Sequence, residues 1–247
     1  MTASPTTTAL HAKPRAAVVR DALGVGIAVG LSGFAFGVTS AGAGMSTAQT
    51  CVLSLLVFTG ASQFALVTAI GAGAAPFAAA MGALFLGARN AFYGLRLSHL
   101  LDLSPKVRPL AAQWVIDETS AVALAQPDRA AARLGFTITG VSLYLGWNIT
   151  TLLGALGAAA LGDPSAWGID AAGPAAFLAL LVSMARGTGS SGSWRRVRER
   201  PEPVTAAVAA ALALACLPVV PAGVPVLVAA LAAPAVLIVT RRRGDHS

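Results

Sequence analysis

Between Asp21 and Arg89 the chain carries no charged side chain, and apolar runs of membrane-crossing length recur from there to Thr240. A helix needs about 20 predominantly apolar residues to cross a bilayer. The pattern predicts spans at about 23–44, 47–72, 76–101, 109–127, 134–161 and 171–185. A last uncharged run, 203–240, is interrupted by Pro218 and Pro221 and holds two short spans. The predicted fold is all-α, a polytopic transmembrane helical bundle of about eight spans. Six spans fit the same pattern if one of the first three segments is re-entrant and 109–127 lies on the membrane surface.

Composition supports the membrane assignment, with 56% hydrophobic and 11% charged residues against about 25% charged in an ordinary soluble domain. The formal charge of +7 does not point to nucleic acid, because the arginines sit in short clusters between apolar runs and not on one basic face. They read as topology signals. Residues 1–20, polar and basic, are expected to form a disordered cytoplasmic tail rather than a signal peptide, since no short apolar core precedes residue 22. Residues 21–240 form a single transmembrane domain containing an Arg-rich cytoplasmic loop at 186–203, and 241–247 form a second cytoplasmic tail. Both termini are expected inside. Lys106 and Arg108 are the exception, falling outside with eight spans and inside with six.

Several polar positions lie at membrane depth, where each costs free energy unless it is partnered. The stretch 59–65 (TGASQFA) places Ser62 and Gln63 beside Gly60 and Ala61. Gly26, Gly30, Gly33 and Gly37 recur at intervals of three and four, flat positions where another backbone can approach or the helix can break. Gly60 is expected to serve the same purpose. Arg89, Tyr93 and Arg96 share a helical face, with Asn90 at its edge. Asp117 and Glu118 stand in the middle of 109–127, and a central carboxylate costs about 2.5–3.5 kcal/mol on insertion scales. Arg89 is therefore expected to pair with Asp117 or Glu118, leaving the other carboxylate to titrate. Such a set suits a zwitterion, because an Arg fork holds a carboxylate and carboxylate or amide oxygens accept from an ammonium. A purely structural role, locking helices together, uses the same residues.

No catalytic or metal site is expected. Cys51 and Cys216 lie far apart in apolar segments and read as core, His11 and His246 are near the termini, and His99 ends a span. No nucleophile stands beside a base, so an enzyme is not expected, and no cofactor is implied.

The runs FTGASQFA (58–65), GARNAFYGLRL (87–97) and IDETSAVA (116–123), in that order, resemble the AzlC family, the large subunit of AzlCD-type branched-chain amino acid export permeases. The likeness extends from about residue 20 to 185. It implies a multi-pass protein of the bacterial cytoplasmic (inner) membrane, a secondary transporter that exports branched-chain and related hydrophobic amino acids, driven by protons and assisted by a small AzlD-like membrane subunit. Carried onto this chain, the family motif falls on Ala61, Ser62, Gln63 and Phe64, its mid-span arginine on Arg89, and its acidic pair on Asp117 and Glu118. Ser62, Gln63, Arg89, Asn90 and Tyr93 are then expected to bind substrate, with its carboxylate near Arg89 and its ammonium near Gln63 and the acidic segment at Asp117 and Glu118. Family members often carry Asn two residues before the arginine and His just after it. Gly87 and Asn90 depart from that pattern, which places proton coupling on Asp117 and Glu118. The alternative role is a scaffold or assembly subunit without transport of its own.

Overall fold

The structure, a computed structural model, describes residues 13–161 and a few helical positions between 208 and 215. The expected spans at 171–185 and 203–240, the 186–203 loop, Cys216 and the C-terminal tail lie outside the described residues. Among the described residues every regular element is helical: α1 (Arg15–Gly30), α2 (Gly33–Gly42), α3 (Thr47–Leu56), α4 (Ala61–Gly71), α5 (Pro76–Gly87), α6 (Arg89–Leu101), α7 (Arg108–Gln113), α8 (Asp117–Leu124) and α9 (Arg129–Leu161). Two stretches, Arg15–Gly42 and Arg129–Ala160, are long and apolar enough to cross a membrane, with mean hydropathies of 1.8 and 1.2. Only 39% and 33% of their apolar windows are buried within the chain. Side chains such as Ile27, Leu31, Ile149 and Leu153 are more than half exposed, as expected where lipid is the solvent. Helix α1 begins at Arg15, inside the stretch read from the sequence as tail.

The chain divides into two compact units, one of Met1–Gly33 with Arg89–Thr150, the other of Phe34–Ala88 with the chain from Thr151 onward. In the first unit α1 runs parallel to α9, Gly26 facing Ser142, Gly30 facing Gly146 and Gly33 facing Trp147 and Thr150. A Cβ on Gly30 would sit 3.2 Å from the Gly146 Cα, so the backbones meet directly. The Thr150 hydroxyl donates to the Gly30 carbonyl at 2.6 Å, satisfying an acceptor that the end of α1 leaves open. At the other end of α9, the Arg133 guanidinium donates to the carbonyls of Leu101 and Asp102. Arg129 pairs with Asp102 at 2.8 Å. The end of α6 and the start of α9 are thus tied together at one level.

Helices α7 and α8 leave from that level and return to it. Val115 lies against Gly94, Trp114 against Gly140, and Val122 and Gln126 against Gly135. At 1.5 Å per residue, Gly140 stands about 17 Å along α9 from Arg129. The segment 109–127, expected as a span, is instead a hairpin of six- and eight-residue helices with its turn at Trp114–Ile116. Hydropathy measures length and composition and does not register that the chain reverses halfway. The hairpin packs through Ala111, Ala123, Leu97, Leu101, Ala132 and Phe136.

In the second unit the expected span at 47–72 is also a hairpin. Thr50 on α3 meets Ser40 of α2 at 2.7 Å, Phe64 at the start of α4 stacks edge-on against Phe36 at 5.5 Å, and Gly71 at its end lies beside Ala43. Helix α3 therefore runs against α2, and α4 runs back alongside it. The reversal falls on Val57–Gly60, where β-branched and aromatic residues weaken the helix and Gly60 takes φ +59, ψ −92, a conformation L side chains avoid. After the turn at 72–75, α5 packs on α4 and brings Gly87 back to Ser62. Gly37 abuts the backbone of Thr151 and Ala155, and Gly154 that of Phe34.

Candidate functional site

The turn of each hairpin carries the polar residues singled out from the sequence. In the first unit, α8 begins at Asp117 because Thr119, three residues after Ile116, turns its hydroxyl back to accept the Ile116 N–H at 3.2 Å and donates to the Trp114 carbonyl. This is the reciprocal half of a capping box, made here without a polar N-cap residue. Asp117 and Glu118 then occupy the first turn of α8, where a helix dipole favours negative charge. Arg89, the first residue of α6, reaches Asp117 with a nitrogen–oxygen distance of 2.7 Å. The two side chains are 31% and 30% exposed, so the pair is neither fully sealed nor freely solvated.

The pair is incomplete. Arg89 Nε, Asp117 Oδ1, Asn90 Oδ1 and Ser120 Oγ are all buried without a hydrogen-bond partner. Buried polar atoms are paired in the great majority of cases, so one unmatched donor, two unmatched acceptors and a hydroxyl on the facing helices α6 and α8 make this the candidate site of the first unit. Tyr93, half-buried, lies within electrostatic reach of Asp117, Arg89 and Glu118. Glu118 is half-buried next to Asp117. Arg96, expected on the same stripe, is exposed.

Ser62 and Gln63 belong to the second unit and are described with it. The Gln63 side chain is fully buried. Its Oε1 accepts the Gly60 N–H at 3.1 Å and its Nε2 donates to the Leu53 carbonyl at 3.3 Å. The carboxamide that the sequence suggests for substrate thus ties the two arms of the α3–α4 hairpin together across their turn. Ser62, 4% exposed, has a hydroxyl without a partner, and so does the buried Thr59 hydroxyl.

A family model described as AzlC protein matches residues 24–161, more than half of the 247-residue chain. The chain belongs to the AzlC family. It is thereby a membrane protein of a transport-related family, consistent with a non-enzymatic role and with the exposed apolar faces of α1 and α9. No curated protein and no solved structure matches it. The part of this AzlC chain that matches contains both hairpins and every residue predicted to bind substrate or protons. Of the expected pairings, Arg89 with Asp117 is present. Thr119 and Ser120 were missed by sequence reasoning. The spacing of Thr119 from Ile116 is a helix-start signal, hidden there by the expectation that one helix ran through 109–127. Among the described residues no group of three or more His, Cys, Asp or Glu side chains comes together.

Proposed function

We propose that this AzlC protein exports branched-chain and related hydrophobic amino acids from the bacterial cytoplasm in exchange for protons, with a small AzlD-like membrane subunit as partner. The observation that carries the reading is the Arg89–Asp117 pair with its unmatched Nε and Oδ1 atoms. A zwitterion fits such a pair: its carboxylate accepts from Arg89, while its ammonium donates to Asp117 and Asn90. Neutralising Asp117 would release Arg89, and neutralising Glu118 beside it would change the field on that pair; either alters the site's hold on substrate, which is a route to coupling. Substrate range, proton coupling and the partner rest on the family resemblance. Labelled amino acids released from cells carrying the chain and its partner, against cells lacking both, test this directly. Faster release of leucine, isoleucine and valine is expected; flat release across a panel would favour the scaffold role. In vesicles, Asp117→Asn and Glu118→Gln should flatten the pH dependence of leucine transport, and unchanged dependence in both would remove proton coupling through this pair.

The two hairpins also support a definite topology. If α3–α4 and α7–α8 both enter and leave on one side, only 15–42, 76–101 and 129–161 cross within the described residues. With the N-terminal tail inside, Lys106, Arg108, Arg129 and Arg133 then all become cytoplasmic, and with the three short apolar runs beyond 170 the total is six crossings and a cytoplasmic C-terminus. The exception to the positive-inside rule disappears. In a Cys51→Ser/Cys216→Ser background, an impermeant maleimide added to cells should label Ala75→Cys and not Lys106→Cys. The reverse pattern would restore eight spans.

A further inference from the structure

We infer that the turn of the α3–α4 hairpin is a carboxylate-binding site, formed by the open start of α4 and the hydroxyls of Ser62 and Thr59. The inference rests on the amino acid export reading; because the substrate has one carboxylate, Arg89 and this turn hold it at different steps of transport.

The first N–H groups of a helix have no acceptor within it and carry a partial positive charge, so a buried helix start is a ready anion site when nothing else fills it. Helix α4 is eleven residues long. Its N-cap is Gly60, which has no side chain to offer, and no acidic residue stands in its first turn. Gln63 supplies an acceptor, but to the Gly60 N–H, one residue before the helix. The N–H groups of Ala61, Ser62 and Gln63 are those that a helix start leaves without an intrahelical acceptor. Helix α8 differs, because Asp117 and Glu118 already place negative charge on its first turn.

A second observation points independently to a ligand. Ser62, the second residue of α4, is 4% exposed with a hydroxyl that has no partner, and helical Cα–Cβ bonds tilt toward the helix start. The Thr59 hydroxyl, just before the helix, is also buried and unmatched. Space is kept beside Ser62 by Gly87, where a Cβ would come within 3.2 Å of the Ser62 oxygen. Two hydroxyl donors and a row of backbone N–H groups suit a carboxylate.

The test is transport of labelled leucine into inside-out vesicles containing the full chain and its partner subunit. Failure of the unaltered protein to accumulate leucine would count against export itself. Where it does accumulate leucine, Ser62→Ala should raise the leucine KM about 10-fold, the loss of one hydrogen bond to a charged group, with little change in maximal rate. Inhibition by 4-methylvalerate, which keeps the carboxylate and lacks the ammonium, should weaken in parallel, and inhibition by leucinamide should not. Thr59→Val should shift KM in the same direction. Because the Ser62 hydroxyl has no partner within the chain, its removal breaks no internal bond, and a structural role predicts no change in KM. A KM within two-fold of the unaltered protein in both variants, with 4-methylvalerate inhibition intact, would overturn the site.

Discussion

The two hairpins solve one physical problem in opposite ways. Each must reverse the chain inside an apolar environment, where an unsatisfied N–H or carbonyl costs several kcal/mol. In both, the third residue of the returning helix reaches back to the N–H of the residue before it: Gln63 to Gly60, Thr119 to Ile116. Beyond that they diverge. The α3–α4 turn stays uncharged and uses a carboxamide that also holds the opposite arm at Leu53. The α7–α8 turn places two carboxylates in its first helical turn and brings Arg89 against one of them. A neutral brace suits a turn that keeps its shape, whereas an ion pair with unmatched atoms suits a site that exchanges partners and protons.

The largest expected effect comes from breaking the charged turn. Arg89→Ala leaves Asp117 half-buried without its counter-ion, and removing one member of a buried pair costs about 3–5 kcal/mol. With 31% and 30% exposure of the two side chains, the lower end applies, about 3 kcal/mol. Leucine transport should fall about 100-fold, the upper end for losing a hydrogen bond between charged groups at the substrate carboxylate. Detergent-solubilised melting should show that adding Asp117→Ala restores stability while transport stays lost. If the double variant transports normally, the pair only locks helices together.

What was legible in the sequence follows the same division. Composition and run length identified a helical membrane protein, and the cost of burying charge identified Arg89 and its pairing with Asp117 or Glu118, because a buried charge is costly without a partner; the structure selects Asp117. The reversals were not legible. Segments 47–72 and 109–127 have the length and apolarity of spans, and hydropathy reads the same whether the chain continues or doubles back. The turn signals were present as Gly60, Gln63 and Thr119, but each is a local helix-start feature that gains its meaning only when the two arms are seen side by side. Lys106 and Arg108 were the one visible conflict in the eight-span count, and the six-crossing topology proposed above would remove it.

Breaking the neutral turn should cost less than breaking the pair. Gln63→Leu leaves the Gly60 N–H and one of the bonds to the Leu53 carbonyl unmade, about 1–3 kcal/mol for an unsatisfied buried group. The Leu53 carbonyl keeps a second donor, the Val57 N–H at 2.9 Å, so one group is orphaned rather than two. Thr119→Val orphans the Ile116 N–H and also the Trp114 carbonyl, for which the Thr119 hydroxyl is the donor, a loss at the upper end of the same range. The fall in melting temperature should be somewhat larger for Thr119→Val. The transport effects should differ, however, because only Thr119 supports the first turn that positions Asp117. A Gln63→Leu variant that loses transport without losing stability would mean that the carboxamide touches substrate after all.

The smallest effects concern the glycines that give each turn room. A Cβ on Gly140 would come within 2.9 Å of the Trp114 ring, and one on Gly87 within 3.2 Å of the Ser62 hydroxyl. The rigid Trp114 ring, unlike a hydroxyl, cannot turn aside about one bond without moving all its atoms, so Gly140→Ala should cost about 1–2 kcal/mol through overpacking. The Ser62 hydroxyl yields by rotating about one bond, and alanine in a helix recovers up to about 1 kcal/mol over glycine. Gly87→Ala should therefore leave melting unchanged or slightly raised while increasing the leucine KM, because the space it fills is the space beside the unmatched hydroxyl. Equal destabilisation by the two alanines would mean that the α3–α4 turn is as tightly filled as its charged counterpart, leaving no room for a ligand there.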